Sequence, residues 1–108
     1  MRNSSEQRAL RHYRRRLYRI LGTNVWIGGY EIDLVVRRGR AVAFVEVKSK
    51  GGDRFGDPFE MVTSEKQRRL RRAAETWLAS HPEETELEAR FDVAGFREGR
   101  LEVVRQAF

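Results

Sequence analysis

The stretch from Tyr30 to Lys50, YEIDLVVRRGRAVAFVEVKSK, constrains the fold more than any other part of the chain. Its β-branched and aromatic residues predict two strands, and Gly39-Arg40 between them suits a two-residue type II′ turn. The register that this turn sets gives one face made of apolar cross-strand pairs, which we expect to meet the core. Those pairs are Ile32 with Val47, Leu34 with Val45 and Val36 with Ala43.

The same register places Asp33 opposite Glu46 on the other face, with Cβ atoms ~5 Å apart. Two like charges at that distance repel each other, but a divalent cation between them reverses the effect, and Mg²⁺ is commonly held by one or two carboxylates. Lys48, two residues after Glu46, points to the same side. The pattern is typical of metal-assisted phosphodiester hydrolysis, in which the metal activates water and the lysine neutralises developing charge. The alternative is a solvated face on which Glu31 and Lys48 form an ordinary ion pair.

Length and charge bound the class of protein. The 108 residues are enough for one domain, residues 1–108, with one modest core. The net charge of +6 and pI of about 10.5 favour an anionic partner, and the many arginines make nucleic acid the first candidate. The absence of cysteine excludes disulfides and cysteine zinc sites. No apolar run approaches the ~20 residues that span a bilayer, and the N-terminus lacks the apolar core of a secretory signal. We therefore expect a cytoplasmic protein that does not bind membranes.

The remaining segments predict a mixed fold. Apolar residues at helical spacing predict a first helix from Ser4 to Leu21, ended by Gly22, and a second helix from Ser64, where SEKQ has the form of a capping box, to Pro82. The other predicted segments are a strand at Asn24–Ile27 with Trp26 in the core, a long mobile loop at 49–60, an exposed acidic connection PEETELEA, and strands at Arg90–Phe96 and Arg100–Phe108. The order α-β-β-β-α-β-β indicates an α/β sandwich on one mixed sheet.

Asp33, Glu46 and Lys48 resemble the PD-(D/E)xK signature of nucleases with the restriction-endonuclease-like fold. The whole chain resembles the YraN-like family, small proteins related in fold to Holliday-junction resolvases. The blocks that carry this resemblance are EIDLV, FVEVKSK, FGDPFEMVTSEKQRRLRRAAETWL, RFDVAGF and the closing AF. The resemblance implies a three-layer sandwich, with a mixed central sheet flanked by helices. It also implies a nuclease-like domain. Resolvase-like relatives act as dimers, so a homodimer is one option, and the sequence leaves the oligomeric state open.

The resemblance assigns a role to each matching residue. Asp33 and Glu46 would bind Mg²⁺ or Mn²⁺, Lys48 would be the catalytic lysine, and Glu6 on the first helix would join the metal site. Lys66 matches a recurrent lysine that would contact phosphate. Two of these residues have simpler explanations, since Glu6 could only favour the helix N-terminus and Lys66 could be a solvated first-turn residue. The sequence departs from the family at Ser5 and Tyr30, where the family has glycine, and the bulk of Tyr30 would restrict the substrate path.

Both predicted helices are rich in arginine, which favours contact with a phosphate backbone. We predict such contacts from Arg15, Lys50, Arg54, Lys66 and Arg69. The sequence offers no base-reading element, so binding is expected to follow nucleic-acid structure. The function predicted is a metal-dependent endonuclease acting on DNA, branched or otherwise structured. The alternatives are a non-catalytic nucleic-acid-binding accessory protein with a vestigial site and a protein–protein adaptor with an incidental basic charge.

Overall fold

The computed structural model describes residues 4–48, 59, 62–84 and 86–108. Two helices and five strands follow each other in the predicted order. They are α1 (Ser4–Arg15), β1 (Arg19–Ile27), β2 (Tyr30–Arg38), β3 (Ala41–Lys48), α2 (Ser64–Ala79), β4 (Glu88–Arg97) and β5 (Arg100–Val104), with a 3₁₀ turn at Pro82–Glu84 before β4. Within this part of the chain, neither helix is long and apolar enough to cross a membrane.

The five strands form one mixed sheet in the order β1-β2-β3-β4-β5. All neighbours are antiparallel except β3 and β4, which are parallel and are joined through α2. The two helices cover opposite faces of the sheet. Ala9 and Tyr13 of α1 pack with Leu34, Val36, Ala43 and Val45, whereas Leu70, Ala73 and Trp77 of α2 pack with Val35, Val42 and Phe44. The predicted α/β class and mixed sheet are confirmed.

The β2–β3 hairpin turns at Gly39-Arg40 as predicted, and its register runs from Arg38↔Ala41 to Leu34↔Val45. The prediction of a single core face is wrong, because each face of this hairpin lies under one helix and both are buried. The predicted pairs beyond Leu34↔Val45 are also wrong. At that point the backbone N–H of Val47 donates to Oδ2 of Asp33 at 2.8 Å, so a side chain takes the place of a ladder partner.

Helix α1 ends at Arg15, six residues before the predicted end at Leu21. Leu17 adopts a left-handed conformation (φ 66°), and the N–H groups of Leu17 and Tyr18 bond to the carbonyls of Arg14 and Tyr13 at 3.0 and 3.1 Å. This is a Schellman motif, with leucine at a position that glycine usually holds. The chain therefore reverses early, leaving Leu17 85% exposed and Tyr18 buried.

Three local predictions need correction. The N-cap of α2 is Thr63, whose hydroxyl accepts from the N–H of Lys66 at 3.3 Å, so the helix is capped one residue before Ser64, and Lys66 at the third helical position does not complete a capping box. Trp26 is 70% exposed, because β1 is an edge strand and this side chain lies beyond the covered part of the sheet. Glu84 in the acidic connection is buried rather than exposed, and its carboxylate is paired there with Nη1 of Arg37 at 2.9 Å.

Candidate active site

Three carboxylates meet where the N-terminal turn of α1 lies over the start of β2. One oxygen each of Glu6, Glu31 and Asp33 lies within 4.8 Å of the others, and we call these residues the acid cluster. Glu6 is only 6% exposed. The side-chain amide of Asn24 donates to Glu6 at 3.0 Å and to Glu31 at 3.3 Å. Asn24 itself has a left-handed backbone (φ 50°), a conformation that asparagine tolerates better than most residues.

The acidity of Asp33 is strongly perturbed. Burial raises its pKa from 3.8 to about 7, and the negative charge of Glu46 and, to a smaller extent, Glu6 adds to this effect. The bond from the Val47 N–H and the charge of Lys48 oppose the rise without cancelling it. Asp33 therefore titrates near neutrality, and either a proton or a cation relieves the repulsion around it.

Glu46 lies beside the cluster with two partners of its own. Its carboxylate accepts from the Tyr30 hydroxyl at 3.2 Å and forms an ion pair with Nζ of Lys48 at 3.2 Å. The charge of Lys48 is the main cause that lowers the pKa of Lys66, which reaches this region from the first turn of α2. Two lysines thus stand near four acids, and Lys48 is the one that forms an ion pair with Glu46.

Comparison with known proteins assigns the family. A family model described as "Uncharacterised protein family UPF0102" matches residues 5–96. The chain belongs to the UPF0102 family. It is 39% identical to a UPF0102 protein of Alkalilimnicola ehrlichii, over 98% of this chain and 84% of the relative. It is 38% identical to one of Shewanella amazonensis, over 96% and 94%, and 42% identical to one of Geobacter metallireducens, over 84% and 74%. Membership of the YraN-like UPF0102 family, predicted from the sequence blocks, is confirmed.

In this UPF0102 protein the predicted residues Glu6, Asp33, Glu46, Lys48 and Lys66 come together in one region. The sequence interpretation missed two others. Glu31 joins the acid cluster, and its position two residues before Asp33 on an extended strand is the signal that would have placed both on one side. Asn24 has no such signal, because its reach to the cluster depends on its unusual backbone conformation.

The predicted phosphate-contacting residues are more scattered. Arg15 is exposed on the last turn of α1, and Arg69 is exposed on α2, which lies on the opposite face of the sheet. Arg69 pairs with Glu65 at 2.8 Å. Lys50 and Arg54, and the loop predicted at 49–60 apart from Phe59, lie outside the described residues. Among the predicted contacts that the structure describes, Lys66 lies near Lys48 and Glu46, and the charge of Arg69 acts on Tyr30, which bonds to Glu46.

Asp92 on β4 is a buried acid with a different environment. Its carboxylate accepts from Nε and Nη2 of Arg90 at 2.8 and 2.9 Å and from the Tyr13 hydroxyl at 2.8 Å. The backbone N–H of Gln106 donates to it at 3.1 Å. Arg90 pairs with Asp92 locally, and the bonds from Tyr13 and Gln106 tie α1 and the segment after β5 to β4.

Proposed function

We propose that this UPF0102 protein is a metal-dependent endonuclease of the PD-(D/E)xK type that hydrolyses phosphodiester bonds in DNA. The observation that carries the proposal is the acid cluster of Glu6, Glu31 and Asp33 beside the Glu46–Lys48 pair. Burying these acids together costs stability, so their juxtaposition favours a role in chemistry over a role in holding the fold. The mixed sheet between two helices is compatible with a restriction-endonuclease-like fold, which we propose as well.

The donor set suits a hard cation. Glu6, Glu31 and Asp33 offer only carboxylate oxygens, which are the ligands that Mg²⁺ and Mn²⁺ prefer, and Glu46 lies near enough to raise the pKa of Asp33. When bound, such a cation supplies a Lewis acid that polarises a phosphoryl oxygen and eases the ionisation of water.

The chain's own side chains would do the rest. Lys48 stands on β3 with its ammonium group beside Glu46, where it can neutralise charge that develops on a phosphate. Lys66 adds a second cation from α2, and its lowered pKa makes a proton transfer from it easier than from an ordinary lysine. The Tyr30 hydroxyl fixes the orientation of Glu46. Tyr30, which departs from the family pattern, thus also supports a proposed ligand.

Unpaired bases are the favoured structural feature of the substrate. Trp26 is the direct cross-strand partner of Glu31 in the β1–β2 ladder, and it is 70% exposed. Directly paired residues project from the same face of a sheet, so an indole ring lies beside the acid cluster. Exposed aromatic rings bind unpaired bases by stacking. This placement supports branched or otherwise structured DNA as the substrate.

A second function is favoured by one observation. The Asn24 amide donates to both Glu6 and Glu31, so it satisfies part of the acid cluster without a cation. A non-catalytic nucleic-acid-binding accessory protein with a vestigial site would need just such an internal partner. We rank it second, because Asn24 leaves Asp33 with a pKa of about 7.

The deciding experiment uses linear duplex, single-stranded, flapped and four-way-junction DNA, each with Mg²⁺, Mn²⁺ or EDTA. Asp33→Asn and Lys48→Ala are compared with Glu75→Gln, which removes an exposed acid of α2 outside the site. We expect metal-dependent cleavage of branched substrates, reduced about 10²–10³-fold in both site variants and unchanged in the control.

Two results would overturn the proposal. One is cleavage that survives both Asp33→Asn and Lys48→Ala, which would indicate a contaminating nuclease. The other is salt-sensitive DNA binding with no cleavage under any metal, which would support the accessory protein instead.

A further inference from the structure

A cavity of about 390 Å³ opens at the C-terminal end of α1, between that helix end, the tip of the β2–β3 hairpin and the end of β5. Guanidinium, phenol and imidazole groups line it, from Arg16, Arg38, Arg105, Tyr13, Tyr18 and His12. The Schellman motif at Leu17 creates its inner wall, because it turns Tyr18 inward against Tyr13, with ring centroids 5.0 Å apart. We call this space the arginine cavity.

The charge of the arginine cavity is not balanced by acids. Among the described residues, no aspartate or glutamate lines it. Asp92 lies behind the wall, but its oxygens are already engaged by Arg90 and Tyr13. Glu102 on β5 lies between Leu101 and Val103, which pack on the α1 side, so strand alternation turns it to the other face. The cavity therefore attracts anions.

Two of its arginines are held in fixed positions. Nη1 of Arg16 donates to the carbonyl of His12 at 3.1 Å, and Nη1 of Arg38 donates to the carbonyl of Arg16 at 2.9 Å. Arg38 also stacks over the ring of Tyr18, 4.6 Å from its centroid. Each of these bonds to the end of α1 uses one N–H donor of the guanidinium group, which has five. The remaining donors of a fixed planar fork match the oxygens of a phosphate group.

We propose that the arginine cavity binds a phosphate group at a site separate from the acid cluster. Ten residues separate Glu6 from Arg16, which corresponds to about 15 Å along the helix axis. A second cavity shares His12 and Arg16 with the first and is lined by Arg8, Arg11 and Arg15, so positive charge continues along α1 toward the acid cluster.

The assignment of the phosphate to a nucleic-acid strand rests on the proposed function. The phosphate site itself does not depend on that function. A strand lying along α1 would be anchored about four base-pair steps from the bond that is cut, at 3.4 Å per step. The anchor would then fix the distance between the cleavage point and a backbone phosphate, independently of base sequence.

The first test is a titration with inorganic phosphate in EDTA, at constant ionic strength, followed by the NMR signals of the imidazole rings. The chain has two histidines, and His81 serves as the internal reference because it stacks on Trp77, on the α2 side of the sheet. We expect the His12 signals to move with saturation while those of His81 stay in place. A His12 ring that does not respond to phosphate overturns the proposal.

Charge-removing variants locate the site. Arg16→Gln and Arg38→Gln should each weaken phosphate binding about ten-fold, and Arg40→Gln, on the same hairpin but outside the cavity lining, should change it less than about two-fold. Equal losses in all three variants would mean diffuse attraction to a basic surface and would overturn the site. Asp33→Asn should leave phosphate affinity unchanged, because Asp33 does not line the arginine cavity. A negative result in the nuclease assay would therefore not contradict the phosphate site.

The source of the phosphate is distinguished with a short oligonucleotide carrying either a 5′-phosphate or a 5′-hydroxyl group. Tighter binding of the 5′-phosphate form, lost in Arg38→Gln, supports an end-binding site. Equal affinities that Arg38→Gln weakens alike support an internal backbone phosphate. Oligonucleotide binding that is indifferent to both Arg16→Gln and Arg38→Gln overturns the role in nucleic-acid binding.

Discussion

Asp33 and Asp92 are two aspartates of the same sheet whose surroundings are opposite in kind. Asp92 on β4 is fully buried, yet it has a guanidinium, a phenol and a backbone N–H as partners. Asp33 on β2 has one backbone N–H and three acids around it. The charge of Asp92 is neutralised within the fold. The charge of Asp33 is not, and this difference separates a carboxylate that stabilises the structure from one that is available for chemistry.

The largest effect that tests this comparison is on stability. Asp92→Ala should lower the free energy of unfolding by about 3–5 kcal/mol, because it leaves the half-buried Arg90 without its main partner. Asp33→Ala should lower the free energy of unfolding far less, or raise it, because the neighbouring Lys48 already has Glu46 as its acidic partner. Urea unfolding followed by circular dichroism measures both. A loss of less than about 1 kcal/mol in Asp92→Ala would remove the distinction.

The second effect is a dependence on pH that belongs to Asp33. Its folded pKa of about 7 lies above the ordinary 3.8, so the folded state keeps the proton while the unfolded state releases it. Wild-type stability should therefore fall as pH rises from about 4 to about 7, and the full cost is present above that range. The free energy of unfolding of Asp33→Asn should exceed that of wild type by about 4 kcal/mol at pH 8 and match it below pH 4.

Adding Mg²⁺ to the stability measurement tests whether a cation relieves the repulsion around Asp33. At pH 8, millimolar Mg²⁺ should recover about 1 kcal/mol in wild type, seen as a higher unfolding temperature, and should leave Asp33→Asn unchanged. Glu75→Gln is the control that keeps the site intact. An equal response in wild type and Asp33→Asn would place any bound cation elsewhere.

The smallest effect comes from the two tyrosines that serve these environments. Tyr13→Phe removes a 2.8 Å bond to buried Asp92 and should cost about 1–2 kcal/mol of stability. Tyr30→Phe removes a 3.2 Å bond to Glu46 and should cost less than about 0.5 kcal/mol, because Glu46 keeps its pair with Lys48. Thermal unfolding of the two variants in parallel provides the comparison. A larger loss in Tyr30→Phe would show that the acid region is structural.

Much of the fold could be predicted because it depends on local patterns. The Gly39-Arg40 turn and the strands beside it follow from turn chemistry and alternation, and the stripe from Leu70 to Trp77 follows from helical period. The end of α1 could not be predicted in this way. Leu17 keeps the helical spacing of apolar residues, and it occupies a left-handed position where the stop signal would normally be glycine.

The candidate site was predicted in part for a similar reason. Asp33, Glu46 and Lys48 lie on the two strands of one hairpin, so their proximity follows from the hairpin itself, although the ladder ends at Leu34↔Val45 before it reaches them. The burial of both hairpin faces, the exposure of Trp26 and the reach of Asn24 depend instead on which helix covers which strand. Those are long-range contacts, and no local pattern reports them. The arginine cavity joins three distant segments and is of the same kind.

The parallel pairing of β3 with β4 has a consequence for how the molecule forms. Every pair in that ladder joins residues 47 positions apart, from Ala41↔Glu88 to Lys48↔Gly95, whereas β1, β2 and β3 are consecutive neighbours joined by tight turns. Closing a long loop costs chain entropy and slows folding, so we expect the first three strands to assemble before β4 docks. The acids of β2 and β3 would then gather while still hydrated. Asp92, arriving with β4, would complete the fold by tying α1 to the sheet through Tyr13.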